Sequence, residues 1–208
     1  AASDVYKRQI GNALRRVMLS SLPGSAISSI KIDGVLHEFQ TIDGVYEDVA
    51  TIILNLKGVV IKNHTNGPKT LHLNATEEGE VTAGDIESDP DVEIINKDKV
   101  IATLSKGGKL NMEIVVTNGR GYVDSEINKK LLDIKKPGVI AIDSSYSPIE
   151  RVSYEVEPAR VGQDETYDKL VLEVWTNGSM KPEEAIALAS RILIEHFELL
   201  TDLSSIAD

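Results

Sequence analysis

The sequence contains no cysteine among its 208 residues. This absence excludes disulfide bonds, thiolate zinc sites and a cysteine nucleophile, and it fits a protein of the reducing cytosol. No apolar run reaches the roughly 18 residues that indicate a transmembrane helix, so no membrane span is expected. Basic residues are also few, with 22 Lys and Arg against 33 Asp and Glu, for a formal net charge of −11. Such a chain repels phosphate backbones, which disfavours binding of DNA over its whole surface.

The sequence also lacks the spacing of known catalytic and metal-binding motifs. His37 has no second histidine four residues later and therefore does not belong to a zincin helix. The lysines beside Gly107-Gly108 do not have phosphate-loop spacing, and a hairpin turn is expected there. The carboxylates within 87–91 lack calcium-loop spacing and predict an acidic surface turn. We therefore expect no catalytic residue, no metal site and no cofactor in this chain.

The first amphipathic segment runs from Ile10 to the Pro23-Gly24 stop signal. Its apolar residues recur at i, i+4, i+7 and i+8 and predict a helix with Leu14, Val17 and Met18 on the core face. The adjacent Arg15 and Arg16 have an ordinary interpretation as solvated charges whose aliphatic stems cover the helix flank. Arg16 lies about 100° from Val17 around the helix, so we expect it to be partly exposed.

The middle of the chain predicts mostly strands. Residues 26–32 and 35–39 predict two strands, and a helix with apolar positions from Val45 to Leu56 follows Asp43-Gly44. Short β-prone runs separated by Gly, Pro and Asn between residues 59 and 116 predict antiparallel sheet. The basic, polar stretch 124–138 predicts an exposed loop, and 139–142 predicts another strand. The expected strands within 59–116 are 59–62, 69–76, 92–95, 100–104 and 109–116.

The last third predicts a hairpin followed by a helix. Alternation in 151–158 and 169–176 indicates two strands joined by a polar loop over 161–168. Pro182 suits the first position of the last helix. The apolar face of that helix is about twice the usual 100° width and includes His196, for which we expect a buried, hydrogen-bonded position. Such a face buries against the hairpin and a second helix, which could be the first helix of this chain or a helix of another copy. A wholly internal core helix explains the pattern equally well.

Seven motifs occur in one order along the chain and together resemble the N-terminal region of the bacterial RNA polymerase alpha subunit. The resemblance covers about residues 10–208. The motifs are GNALRRVMLSSLPG at 11–24, IDGVLHEF at 32–39, the stretch from Glu47-Asp48 to IILNLKG at 52–58, GRGYV at 119–123, YSPIERV at 146–152, DKLVLE at 168–173 and TNG at 176–178.

The resemblance implies an α+β fold with a discontinuous dimerisation domain, in which two helices pack on an antiparallel sheet. This domain is expected at residues 10–23 plus 149–208, and an inserted, mostly β domain at 24–148. The family has a strand before the first helix, but residues 1–9 show no strand alternation. We interpret residues 1–9 as a non-native scar and leave them out of the predicted fold.

The resemblance also implies a function, that of a non-catalytic subunit that homodimerises and scaffolds the assembly of beta and beta-prime for transcription. Nucleotidyl transfer is expected in those partners, in the cytoplasm at the nucleoid, with no membrane contact and no direct DNA binding by this region. The implied beta contacts are Arg15, Arg16 and Leu19, with Arg15 expected to matter less than Arg16. The implied beta-prime contacts are Lys57, Ile142, Ile149 and Lys169, and the dimer contacts are Leu14, Val17, Met18, Ile186, Ala189, Leu193, Phe197 and Leu200.

Two other classes of protein remain as alternatives at this point. One is a stand-alone acidic enzyme with its site in the inserted sheet, which turnover of nucleoside triphosphates by the isolated chain would reveal. The other is a DNA-binding regulator, which the net charge of −11 opposes.

Overall fold

The chain forms two compact units in a computed structural model that describes residues 2–161 and 164–201, with side chains described at 6–158 and 168–201. The first unit, called the end unit, contains Ala1–Leu22 and Ser147–Asp208, and the second, called the insert unit, contains Pro23–Tyr146. The predicted boundaries lie within about two residues of this division. The predicted α+β fold class is confirmed.

Helices and strands follow one another along the described residues in a fixed order. The helices are α1 (Ala2–Ser20), α2 (Val49–Lys57), α3 (Ser125–Leu131) and α4 (Pro182–Thr201). The strands are β1 (Pro23–Ile32), β2 (Ile61–Asn63), β3 (Lys69–Ala75), β4 (Gly79–Thr82), β5 (Val92–Ile94), β6 (Val100–Leu104), β7 (Leu110–Arg120), β8 (Tyr122–Val123), β9 (Val139–Ala141), β10 (Ser144–Ser145), β11 (Ile149–Val161) and β12 (Asp164–Thr176).

The end unit packs α1 and α4 on the antiparallel β11–β12 hairpin. Gly11 permits a close approach of α1 to the hairpin, because an added Cβ would lie 2.6 Å from Cδ2 of Tyr154. The hairpin is longer than predicted, since Ala159, Tyr167 and Asp168 continue the ladder beyond the expected strand ends. Part of the predicted 161–168 loop is therefore strand, and its residues 162–163 lie outside the described residues. The buried core consists of Leu14, Met18, Leu22, Ile149, Val152, Ala185 and Ala189.

Helix α1 begins earlier than expected, at Ala2. Residues 2–9 were left out of the predicted fold, and the structure corrects this exclusion. Extending an existing helix costs much less than nucleating a new one, and Lys, Arg and Gln are good helix formers. Lys7 also pairs with Asp168 of β12, with Nζ 3.2 Å from Oδ2, so this turn of α1 is fixed to the hairpin.

The insert unit is built on a four-stranded sheet in the order β3-β7-β1-β9, in which each neighbouring pair is antiparallel. One face of this sheet buries residues such as Ile30, Leu73 and Ile114 in the larger core. Helix α2 contributes Ile52 and Leu56 to the same core. Three two-stranded sheets, β2-β5, β4-β6 and β8-β10, complete the pairing among the described strands.

Two predictions around the start of α2 were wrong. Residues 35–39 form no strand, because the backbone N–H groups of Leu36 and His37 both donate to the side-chain oxygen of Gln40 and fold the segment into a turn. Helix α2 begins at Val49 rather than near Val45, after Asp48 accepts a capping hydrogen bond from the Thr51 N–H at 2.8 Å.

The prediction of a loop over 124–138 was also wrong, because α3 lies within it. Asp124 caps this helix by accepting a hydrogen bond from the Ile127 N–H at 2.9 Å. Asn128 is buried, and its Nδ2 donates to the Ile142 carbonyl at 2.8 Å and to Ser144 Oγ at 2.9 Å. These long-range hydrogen bonds stabilise a helix that has little apolar periodicity of its own.

Candidate functional site

The core face of α1 is used within the chain. Met18 is fully buried and Leu14 is buried, and both pack against Ala185 and Ala189 of α4 and against the hairpin. Val17 is only partly buried at the edge of this core. The predicted packing role of these side chains is therefore filled inside one chain, and only Val17 retains surface for a second one.

The two adjacent arginines of α1 have different surroundings. Arg15 Nε donates a hydrogen bond to the Val152 carbonyl of β11 at 3.3 Å, which ties this guanidinium to the hairpin. Arg16 is exposed, and within the described part of the chain its side chain makes no hydrogen bond or ion pair. Leu19, three residues further on, is partly buried at the edge of the core. The guanidinium of Arg16 is thus available to another molecule, as its position around the helix predicted.

Helix α4 changes character along its length. Its first half is packed against the end-unit core, with Ala185 and Ala189 completely buried and Ile186 partly buried. Every described residue from 194 to 201 is exposed. The predicted burial of His196 is wrong for the single chain, since its ring is exposed and Nδ1 lies 2.7 Å from the Ile192 carbonyl. The exposed apolar residues of this half are Ile194, Phe197, Leu199 and Leu200.

The insert unit contains a second candidate site around a salt bridge. Lys57 Nζ at the end of α2 lies 2.7 Å from Asp143 Oδ2, and the Ser125 N–H donates to Oδ1 of the same carboxylate at 2.9 Å. The Lys57 ammonium and the Ser125 N–H lower the pKa of Asp143 to about 2, because both stabilise the ionised form. The pKa of Tyr122 is raised, first by its hydrogen bond to this carboxylate and then by burial.

The four predicted beta-prime contacts are divided between the two units. In the insert unit, Ile142 is buried beside the paired Lys57. In the end unit, Ile149 is buried in the core, and Lys169 Nζ lies 3.7 Å from Glu157 Oε2 across the hairpin. The lysines thus present partly exposed ammonium groups, whereas the isoleucines are core residues of their own units.

Sequence reasoning missed two exposed side chains beside the Lys57 site. Leu54 lies three residues before Lys57 on α2 and is exposed, and Tyr122 is exposed next to Asp143. The helical spacing of Leu54 and Lys57 was a usable signal, since residues three apart share a helix face. The approach of Tyr122 depends on tertiary structure and had no signal in the sequence.

No metal centre or membrane helix is found in the described ranges. Among these residues no three His, Asp or Glu side chains gather to hold a metal ion. No helix there is long and apolar enough to cross a membrane. The described helices instead expose apolar and charged side chains to solvent.

Comparison with known proteins identifies the family of this chain. Residues 30–147 match the model of the RNA polymerase Rpb3/RpoA insert domain, and the chain belongs to this family. The chain is also similar to proteins named DNA-directed RNA polymerase subunit alpha. That of Symbiobacterium thermophilum is 56% identical over 203 residues, which are 98% of this chain and 64% of the relative.

Two further relatives carry the same name. That of Moorella thermoacetica is 53% identical over 199 residues, covering 96% of this chain and 63% of the relative. That of Desulforamulus reducens is 56% identical over 199 residues, covering 96% and 62%. The chain therefore spans less than two thirds of the length of these relatives.

Proposed function

We propose that this chain is a non-catalytic assembly subunit of bacterial DNA-directed RNA polymerase. Two copies form a homodimer, and the dimer recruits the beta and beta-prime subunits, which perform the chemistry. The chain works in the cytoplasm, needs no metal or cofactor, and does not itself bind DNA. The observation that carries this proposal is the uncovered apolar second half of α4.

The dimer contact lies along one row of α4. Leu193, Phe197 and Leu200 are spaced at i, i+4 and i+7 and fall within about 60° of one another around the helix. Leu193 is partly buried, but Phe197 is 61% exposed and Leu200 is 60% exposed. An apolar row that continues past the core of its own unit is typical of a contact with another molecule. In a symmetric dimer the same row from a second copy supplies the missing cover.

The other expected dimer residues support this contact from within the protomer. Leu14, Met18 and Ala189 are buried, so they fix α1 and α4 to each other and to the hairpin. Val17 and Ile186 are partly buried and border the contact. The dimer surface is therefore smaller than the full apolar set of the two helices and centres on the second half of α4.

The beta subunit binds at the exposed side of α1. Arg16 has a free guanidinium, and such a planar group pairs well with carboxylates and backbone carbonyls at interfaces. Leu19 adds a partly exposed apolar contact near it. Arg15 contributes less, because its Nε is already bonded to the Val152 carbonyl.

The beta-prime subunit binds through the two lysines. Exposed Leu54 lies three residues before Lys57 on α2, and exposed Tyr122 hydrogen-bonds Asp143, so the ion pair of Lys57 with Asp143 has exposed apolar groups near it that a partner could cover. Lys169 has a looser pair with Glu157 at 3.7 Å, which a partner carboxylate could replace. Ile142 and Ile149 act indirectly by holding the adjacent strands in place.

Sedimentation velocity at micromolar concentration tests the dimer. The parent chain should sediment as a dimer. Phe197→Ser should weaken the dimer by at least about tenfold, since fully burying a Phe side chain is worth roughly 1.5–3 kcal/mol. Its fold should remain intact, because Phe197 is exposed in the single chain.

Leu199→Ser is the matched control for this experiment. Leu199 is 69% exposed and also apolar, but it lies about 100° or more from the members of the row. This variant should dimerise nearly as well as the parent. A parent chain that sediments as a monomer, or two variants that weaken the dimer equally, would contradict the assigned contact.

A further inference from the structure

A basic segment stands out on the surface of the acidic chain. Residues 129–136 contain four lysines and one carboxylate, Asp133, whereas the whole chain carries a net charge of −11. All four lysines are exposed. Lys135 Nζ lies 2.9 Å from Asp133 Oδ1, but Lys129, Lys130 and Lys136 have no ion pair among the described residues. The segment is therefore a local positive surface at the end of α3.

A cleft opens beside this segment. It has a volume of about 300 Å³ and lies between residues 132–136 and the second face of the four-stranded sheet. The pairing of β1 with β7 and β9 sets Ser29 opposite Val115 and Lys31 opposite Val139, so Val115 and Val139 lie on the same face as these partners. The cleft is lined by the partly buried apolar residues Val115, Leu132, Ile134 and Val139, with Lys135 and Lys136 beside them.

The helix next to the cleft also presents apolar side chains to solvent. Ile127 is 46% exposed and Leu131 is 72% exposed, and they lie one turn apart on α3. The buried side of the same helix is fixed by Asn128 through its bonds to Ile142 and Ser144. The exposed apolar pair and the cleft thus flank the lysines on a helix whose position is set by the fold.

We propose that the α3 surface, defined by residues 127–136 together with the adjoining cleft, binds an acidic protein segment that inserts a bulky apolar side chain into the cleft. The lysines pair with carboxylates of the segment, and the aliphatic lining accepts its apolar side chain. This surface is separate in sequence and role from the dimer, beta and beta-prime contacts proposed above.

The observations favour a protein segment over a nucleic acid. A phosphate backbone would use the lysines but has no use for an aliphatic cleft or for exposed Ile127 and Leu131. Only three lysines are unpaired on this surface, and the rest of the chain carries excess negative charge, so electrostatic affinity for DNA is small. Apolar groups interspersed with unpaired cations instead match an acidic, partly apolar peptide.

Fluorescence anisotropy with short labelled peptides tests this proposal on the whole chain. The probe is a peptide with one phenylalanine flanked by glutamates, and it is compared with the same peptide carrying alanine in place of phenylalanine and with a labelled DNA duplex. The phenylalanine peptide should bind below about 1 mM, and the alanine peptide roughly tenfold more weakly. The duplex should not bind at physiological salt.

Two double variants distinguish peptide binding at this surface from a general effect of net charge. Lys130→Glu/Lys136→Glu should weaken binding of the phenylalanine peptide by roughly tenfold or more. Lys106→Glu/Lys109→Glu changes the net charge equally at exposed lysines of the β6–β7 turn and should have little effect. Circular dichroism should show a native spectrum for both, because all four side chains are exposed.

Three outcomes would overturn the proposal. They are no peptide binding up to about 1 mM, equal binding of the phenylalanine and alanine peptides, and equal loss in the two double variants. Binding of the duplex that Lys130→Glu/Lys136→Glu abolishes, without peptide binding, would assign the surface to nucleic acid instead.

Discussion

In the insert unit the apolar faces of α2 and of the four-stranded sheet meet inside one chain, whereas in the end unit α4 leaves its second half uncovered. The core of the insert unit draws on most of its strands and extends from Ile27 to Ile142. The core of the end unit is much smaller among the described residues, and Ala189 is the last residue of α4 that it buries completely. The two units therefore satisfy the hydrophobic effect in different ways.

The difference between the two cores indicates where a second molecule is needed. The exposed apolar residues of the insert unit lie apart from one another in sequence, with Leu36 and Phe39 in turns, Leu54 on α2, and Ile127 and Leu131 on α3. Those of the end unit continue a helix row that begins in the core, at Ile186 and Leu193, and then emerges from it. Burial of such a row against the same row of a second copy removes its apolar surface from water and stabilises the dimer.

The largest expected effect comes from truncating one buried side chain in the core of each unit. Met18→Ala in the end unit and Ile114→Ala in the insert unit both remove a completely buried side chain, and each should cost about 2–5 kcal/mol of unfolding free energy. If dimerisation buries the exposed row of α4, the unfolding temperature of the end unit should rise with protein concentration. The unfolding temperature of the insert unit should not change.

Thermal unfolding at two protein concentrations measures this difference. The parent transition that Met18→Ala lowers should rise with concentration, and the transition that Ile114→Ala lowers should not. A single transition that is independent of concentration and is lowered equally by both variants would remove the proposed distinction between the units.

Much of this architecture could be predicted because it depends on local periodicity. The apolar spacing of Leu14 and Met18 identified the core face of α1. Alternation identified the β11–β12 hairpin, and short β-prone runs identified most strands of the insert unit. Pro182 marked the start of α4 at the observed residue. A period of 3.6 or 2 residues is present in the sequence whether or not the chain is folded.

The remaining features depend on partners that are distant in sequence. Glu47 falls within the helix predicted from Val45 to Leu56, but its carboxylate accepts hydrogen bonds from the N–H and Oγ1 of Thr103, 56 residues away. Helix α3 was missed because Asn128 is held by Ile142 and Ser144 rather than by an apolar stripe. No periodic pattern encodes such contacts.

The candidate sites divide in the same way. The exposure of Arg16 followed from its angle around α1, which a sequence does contain. The hydrogen bond of Arg15 to the Val152 carbonyl could not be predicted from the sequence, because it depends on which edge of the hairpin packs against α1. The salt bridge of Lys57 with Asp143 joins residues 86 apart and was also not foreseeable.

A second prediction concerns Arg16, which lies on the surface of the end unit. Arg16→Ala should leave folding and dimerisation unchanged, because the side chain is exposed and makes no hydrogen bond or ion pair among the described residues. Its loss should cost roughly 2–5 kcal/mol of binding to the beta subunit, as is typical when a charged group buried only in a complex is truncated. A pull-down with purified beta subunit, together with sedimentation of the variant, measures both effects.

Arg15→Ala is the control for this prediction, since its guanidinium already contacts the Val152 carbonyl. It should reduce stability slightly and recruitment less than Arg16→Ala. Loss of the dimer in Arg16→Ala, or unchanged recruitment of beta, would show that this residue does not serve the partner.

The smallest expected effect belongs to the insert unit and depends on pH. The pKa of Asp143 is lowered from 3.8 to about 2, so its ionised form is stabilised in the folded state. A lowered pKa contributes stability that is fully present above the unfolded value of 3.8 and is lost as the pH falls towards about 2. The shift corresponds to at most about 2.5 kcal/mol, and the exposure of the side chains reduces this to about 1 kcal/mol.

Asp143→Asn should therefore remove part of the acid sensitivity of the insert unit. In urea unfolding at about pH 6 and about pH 3, the variant should lose roughly 0.5 kcal/mol less than the parent between the two conditions, because about half of the stabilisation is still present at pH 3. Asp133→Asn is the matched control, because its carboxylate pairs only with the exposed Lys135 in the same turn, and it should follow the parent closely. An identical pH dependence in the parent and Asp143→Asn would mean that the bonds from Lys57 and Ser125 do not stabilise the folded insert unit.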